Sequence, residues 1–352
     1  MKPCVIFIDD DANVLRGLKR LFRVRRDAWD MSFLAGGEEA IAWLSENQAD
    51  AIVCDMRMPH VDGADVLEYA AKHKNGRVRM VLSGEADREL TLRTIGTSHQ
   101  FLSKPCDDGF LAETIDVALG ASELGLSEDG QRIVSNVTVL PAPPQTHEAL
   151  VDALDDANPA SVAEVVSRDP ALTMRVLQLA NSAYFGRRSD SLSIATAVRK
   201  AGLDTLNALY QQKRLISWPH SDEQAEALAE IGHSAVETAR KFYILSREFG
   251  IAENVSEDCF AIGLMSWIGD VVRCAEPEIG ERIDDALAAS AYLVCIYGFP
   301  QSTSRLLVEL ALEGTLQAMQ SLQTELGDAQ TLNAKTRASL LARLRYVNER
   351  AA

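Results

Sequence analysis

The chain has 352 residues, 47% hydrophobic and 24% charged, an ordinary composition for about two globular domains. Its net charge of −16 and pI near 4.9 argue against broad binding to a phosphate backbone, which needs clustered Lys and Arg. The six cysteines are scattered without a C-x-x-C pair, which excludes a zinc ribbon and a disulfide framework and fits a reducing compartment.

The first 122 residues alternate short apolar runs with amphipathic ones. The predicted strands are VIFI (5–8), MSFLA (31–35), AIVCD (51–55), RMVLS (79–83) and QFLSK (100–104). Between the first two lies DANVLRGLKRLFRV, in which Val14, Leu15, Leu18, Leu21 and Phe22 recur at helical spacing. Strand and helix alternating five times predict an α/β domain over 1–122: a doubly wound, parallel, five-stranded sheet with helices on both faces. Such sheets carry their sites at the carboxyl ends of the strands.

Near residue 123 the texture changes. ELGLSEDGQRIVSNVTVLPAPPQT is polar and then Pro-rich, which predicts a linker over 123–140. From 141 to 345 the pattern is helical, with breaks at NP, RDP, SWPHSD and YGFP, and predicts one all-helical domain. LNAKTRASLLARLRYVNERAA (332–352) reads as an amphipathic terminal helix. The longest apolar stretch, ALAASAYLVCIYGF (286–299), falls short of the roughly 20 residues a membrane span needs. The N-terminus meets acids too soon for a signal peptide, so a cytoplasmic location is expected.

The stretch VIFIDDDAN sets Asp9, Asp10 and Asp11 directly after a buried run. Two carboxylates about 4 Å apart repel by roughly 4 kcal/mol at an effective dielectric near 20. Water or a bound cation must offset that. The predicted sheet brings further groups to the same edge: Asp55 after strand three, Ser83 after strand four, Lys104 after strand five. Carboxylates and phosphate oxygens suit Mg²⁺. A carboxylate can also attack phosphorus, and a lysine with a hydroxyl can hold the transferred phosphoryl group. Asp11 is expected to be only a helix cap.

FIDDDANVL, VCDMRMPHVDG, VLSGEAD and FLSKP, in this order, resemble the receiver domain of bacterial two-component response regulators. The resemblance implies that Asp55 is the phosphoacceptor. It makes Asp9 and Asp10 the acidic pair, Asp10 binding Mg²⁺ directly and Asp9 largely through water, with the Arg57 carbonyl as a further ligand. Ser83 becomes the switch hydroxyl and Lys104 the phosphate-binding lysine. Phe101 becomes the aromatic whose rotamer reports the state, here without the hydroxyl of Tyr. A sensor histidine kinase or histidine phosphotransfer protein is the implied donor, docked in part by the basic first helix with Arg16 and Lys19.

A second resemblance rests on LPAPPQTHEALVDAL, VVSRDPALTMRVLQLANSAYFG, SIATAVRKAGLDTL, GHSAVETA and FAIGLMSWIGD. These look like the HDOD domain, a divergent relative of HD-type phosphohydrolases. A hydrolase of that kind needs a His, an adjacent His–Asp and a further Asp around its metal. His233 stands at the first position, but the dyad reads Ser266–Trp267 and only Asp270 survives nearby. A hydroxyl is a weak ligand and an indole only donates. His233 is thus expected to be packed or hydrogen-bonded, and this half to act on an unidentified protein partner without hydrolysing a substrate. The rival, a cyclic-dinucleotide phosphodiesterase of the HD-GYP kind, lacks its dyad here. No helix-turn-helix signal is evident, so DNA is not an expected partner, whereas a homodimer is a fair expectation from the receiver resemblance.

Overall fold

The computed structural model describes residues 2–84, 92–106, 108–123, 126–182, 191–248, 253–275, 280–283 and 285–299. The end of VLSGEAD, the YFG of the second motif set, the stretch 332–352 and the upper limit of the helical domain lie outside the described residues.

Strands β1 (Cys4–Ile8), β2 (Asp30–Leu34), β3 (Ala51–Asp55), β4 (Val78–Ser83) and β5 (Gln100–Ser103) form one sheet in the order β2-β1-β3-β4-β5. All four pairings are parallel. Every residue of β3 and β4 is buried, as an apolar run covered by helices on both faces requires. The covering helices include α1 (Ala12–Leu21), α2 (Gly37–Glu46), α3 (Gly63–Lys72) and α4 (Asp108–Gly120). Asp11 is the N-cap of α1, its carboxylate accepting from the Asn13 N–H. From β1 the chain steps to one side for β2 and to the other for β3, so a crevice opens between the carboxyl ends of β1 and β3.

The stretch 123–140 is more than a tether. It contains α5 (Glu128–Val134), N-capped by Ser127, with Gln131, Ile133 and Val134 buried. Leu126 and Val134 belong to the hydrophobic core, so a few apolar residues anchor a segment whose polar composition reads as a linker.

The remaining elements among the described residues are helices: α6 (Pro144–Asp155), α7 (Pro159–Val166), α8 (Pro170–Ala180), α9 (Ile194–Ala201), α10 (Leu203–Gln211), α11 (Asp222–Glu248), α12 (Glu253–Met265), α13 (Ile268–Ala275) and α14 (Ala286–Ile296). All eleven residues of α8 are buried, including Thr173, Arg175 and Gln178. No helix among the described residues is long and apolar enough to cross a membrane.

The helical half closes directly onto β4 and β5. The Gln178 amide of α8 donates to the carbonyls of Ser98 (3.1 Å) and His99 (3.0 Å), just ahead of β5. Its own oxygen accepts from Arg175 at 2.6 Å. Gln100 of β5 donates to the Ile296 carbonyl at 3.0 Å, where α14 ends. The next turn presses Gly298 on Gln100 at a φ of +67°, a conformation and a closeness that only glycine accommodates cheaply.

Beneath this contact lies Arg79, buried and paired with no carboxylate among the described residues. Its guanidinium donates to the carbonyls of Gly76 (2.8 Å) and Ser135 (2.8 Å), to Thr97, and to the Asn136 side chain (3.1 Å). Ser135 ends α5, so the cation also meets the negative end of a helix dipole. Burial lowers the Arg79 pKa to about 10. His99 accepts the Arg79 N–H at Nδ1 (2.9 Å), so Nε2 donates to the Ser135 carbonyl (2.9 Å) and the ring is neutral. Burial, reinforced by the charge of Arg79, holds His99 well below the ordinary histidine value.

Two predictions follow from this junction. Gln178→Ala strips two buried carbonyls of their donor and is expected to cost about 1–3 kcal/mol in urea unfolding, with Gln178→Glu costing more. Because His99 stays neutral when folded but protonates when unfolded, it adds stability above roughly pH 6.5 that is lost as the pH falls toward its lowered pKa. Unfolding free energy measured from pH 7 downward should therefore decline less steeply in His99→Gln than in the wild type.

Candidate functional site

The crevice between β1 and β3 gathers what its strand ends carry. Asp9 follows β1 and Asp55 ends β3; both are buried, while Asp10 is exposed. One oxygen from each of the three lies within 4.8 Å of the others. The β4–β5 pairing delivers the cation, since the Lys104 N–H donates to the Ser83 carbonyl at 2.8 Å. From there the Lys104 ammonium reaches Asp9 Oδ2 at 2.8 Å and Asp55 Oδ1 at 2.6 Å. The second Asp9 oxygen accepts the Asp11 N–H at 2.9 Å.

Burial raises the Asp55 pKa, and the charge of Asp9 adds to it, against the pull of Lys104. Burial works against the charge of Lys104, but its hydrogen bonds to Asp55 and Asp9 prevail and hold the ammonium above its ordinary value. The floor behind Asp55 is tight. Gly63, the first residue of α3, donates its N–H to Met56 at 3.0 Å, and a Cβ there would collide with the Asp55 carbonyl.

The remaining residues of the receiver resemblance fall around this centre. Ser83 is buried at the end of β4, and Phe101 is buried on β5 opposite Val81. Arg57 sits exposed in the loop two residues beyond Asp55. Three hard carboxylate oxygens with one open, solvent-facing member form a donor set that suits Mg²⁺, an ion that keeps several waters. Asp9, Asp10 and Asp55 would hold it.

The described residues of the helical half bring no such set together. His233 on α11 is exposed, not packed, and pairs with Glu237 one turn on, Nε2 to Oε1 at 3.4 Å. Thr238, on another face of α11, accepts the Trp267 indole N–H at 3.0 Å. Ser266 is buried and donates to the Gly263 carbonyl at 2.8 Å. Asp270 is largely buried on α13, and burial pushes its pKa up to about 6. Among the described residues, the one grouping of three acid, His or Cys ligands is Asp9, Asp10 and Asp55.

Sequence reasoning missed the polar residues of the junction. The available signal was an arginine opening the apolar run RMVLS, a histidine just before QFLS and the glutamine that begins it.

Comparison with known proteins agrees with both halves. Residues 5–116 match the response regulator receiver domain, and residues 140–291 match the HDOD domain. The transcriptional regulatory protein PrrA of Mycobacterium tuberculosis is 38% identical over 84 residues, covering 24% of this chain and 35% of that protein. The hydrogenase transcriptional regulatory protein HoxA of Bradyrhizobium diazoefficiens is 27% identical over 117 residues, covering 33% and 24%. The chain thus spans about a quarter to a third of the length of these curated relatives. A solved response regulator receiver protein from Pseudomonas putida is 26% identical, with a TM-score of 0.30, over 33% of this chain and 97% of that one. Residues 5–116 thus form a response regulator receiver domain. The chain as a whole joins a response regulator receiver domain to an HDOD domain.

The electrostatics of the site predict how it responds to Mg²⁺. In calorimetric titration, Lys104→Met, which removes the competing ammonium, should bind Mg²⁺ more tightly than the wild type. Asp9→Asn with Asp10→Asn should abolish binding.

Proposed function

We propose that this chain is a two-component response regulator phosphorylated on Asp55 by a sensor histidine kinase or a histidine phosphotransfer protein. The observation that carries the reading is the Lys104 ammonium held between Asp55 and Asp9 at the carboxyl edge of a receiver sheet. An Asp55 carboxylate oxygen attacks the phosphorus of a phosphohistidine, an O–P bond forms, and the P–N bond electrons return to the donor imidazole. Asp9, Asp10 and Asp55, with the Arg57 carbonyl, would hold Mg²⁺, which would supply charge neutralisation at the phosphoryl oxygens. Lys104 then exchanges Asp55 for a phosphoryl oxygen, and the buried Ser83 hydroxyl supplies a second contact. Phe101 on β5 turns with them.

The added charge of about −1.5 to −2 draws Lys104, and with it the end of β5, toward the site. Strand β5 and the residues before it are held by Gln178 and by α14, so the same movement loads the contact with the HDOD half. We divide the chain accordingly into a receiver domain (1–122), a connecting segment (123–140) and an HDOD output domain (141–345). The output is binding to a protein partner, with a homodimer as one form it can take, and not hydrolysis of a cyclic dinucleotide. Support for a non-hydrolytic output comes from Trp267 in the dyad, engaged with Thr238, and from His233 paired with Glu237.

Intact mass spectrometry after incubation with Mg²⁺ and acetyl phosphate tests the first claim. Wild type should gain about 80 Da, the mass of one phosphoryl group, and Asp55→Asn should gain nothing. An adduct on both, or on neither, would contradict it. Elemental analysis tests the second: stoichiometric transition metal in the helical half, together with cyclic di-GMP hydrolysis, would overturn it.

A further inference from the structure

A groove of about 420 Å³ lies wholly within the HDOD half, between α6, the α7–α8 turn and one face of α11. It falls within the range of about 300–1,000 Å³ typical of small-molecule sites. Its walls are apolar and small, with Ala149, Val165, Ala229 and Val236, and Gly232 opens its floor. A Cβ at Gly232 would meet the Arg168 carbonyl at an ordinary contact distance of 3.6 Å, so the position accepts a side chain.

The polar groups facing the groove divide into spent and unspent. Asp169 is buried and caps α8; one oxygen accepts the Leu172 N–H at 2.8 Å, the other the Thr146 hydroxyl at 3.2 Å. Glu237 is engaged with His233. The unspent groups are donors. Arg168 pairs with Glu164 through one nitrogen on the exposed surface, a contact of small worth that leaves its other N–H groups open. Arg240 has no partner among the described residues. Helix α6 begins here at Pro143–Pro144 with no side-chain cap, and Pro143, Gln145 and Thr146 of its start line the same space. Both carboxyl groups are satisfied while the guanidinium donors are not.

We propose that this groove binds a small amphiphilic anion, its apolar body on Ala149, Val165, Ala229 and Val236 and its anionic head between Arg168 and Arg240. This site is independent of the receiver chemistry and of any metal.

The test is fluorescence titration of the full chain with anilinonaphthalene sulfonate, which has both an apolar body and an anionic head. One saturable equivalent should bind, and octanoate should displace it where octanol at the same concentration does not. Arg240→Glu, an exposed substitution that the fold tolerates, should weaken binding by roughly tenfold, the loss of one charged hydrogen bond. Gly232→Leu, which fills the floor, should abolish binding, with circular dichroism confirming the fold. If Gly232→Leu does not fold, Arg240→Glu decides alone. Unchanged binding in folded Arg240→Glu, equal displacement by octanol, or no saturable binding to wild type would each overturn the proposal.

Discussion

The ammonium of Lys104 between two buried carboxylates is the interaction on which the rest of the structure turns. Asp9 and Asp55 are forced together because β1 and β3 are neighbours in the sheet, and their repulsion must be met from within. Strand β5, at the far edge, supplies that charge by extending one lysine back across the end of β4. A cation that bridges two acids is also the group a further anion at this edge would compete for. The site is therefore tied mechanically to the strand at the edge of its own sheet.

That edge strand is not exposed. The glutamine of one helix and the carbonyl end of another cover it, and a buried guanidinium satisfied by neutral acceptors lies beneath. Polar contacts of this kind specify one docking geometry more sharply than apolar packing does, since a shifted partner would leave buried donors and acceptors unpaired. Helix α8, buried along its whole length, carries Gln178 toward the receiver at one end and the Asp169 cap at the groove at the other. One buried helix thus joins the contact with the receiver to the wall of the groove.

Much of this was legible in the sequence. Strand runs of apolar residues ending in Asp9, Asp55, Ser83 and Lys104 place the site, because a parallel sheet leaves little choice about where strand ends meet. The parallel pairing of all five strands and the Asp11 cap conform to that reading. Contacts between the halves were not legible. What Gln178, Arg79 and His99 bond to depends on how segments dozens of residues apart dock, and local pattern carries no record of that. The stretch 123–140 misled for a related reason: its composition is polar, but Leu126, Ile133 and Val134 suffice to seat a helix against the body. His233, expected to be packed or hydrogen-bonded, is exposed with its Nε2 3.4 Å from Glu237, since its helix turns other residues, such as Ala239 against Gly263, toward α12.

Hydrogen exchange on the full chain, with and without phosphorylation by acetyl phosphate and Mg²⁺, addresses the central claim most directly. If Asp55 chemistry is transmitted through β5, the amides of residues 97–103 and of the second half of α8 should change protection together in wild type and stay unchanged in Asp55→Asn. Protection altered only around Asp9, Asp55 and Lys104, with α8 unaffected in a chain that carries the phosphoryl adduct, would contradict it.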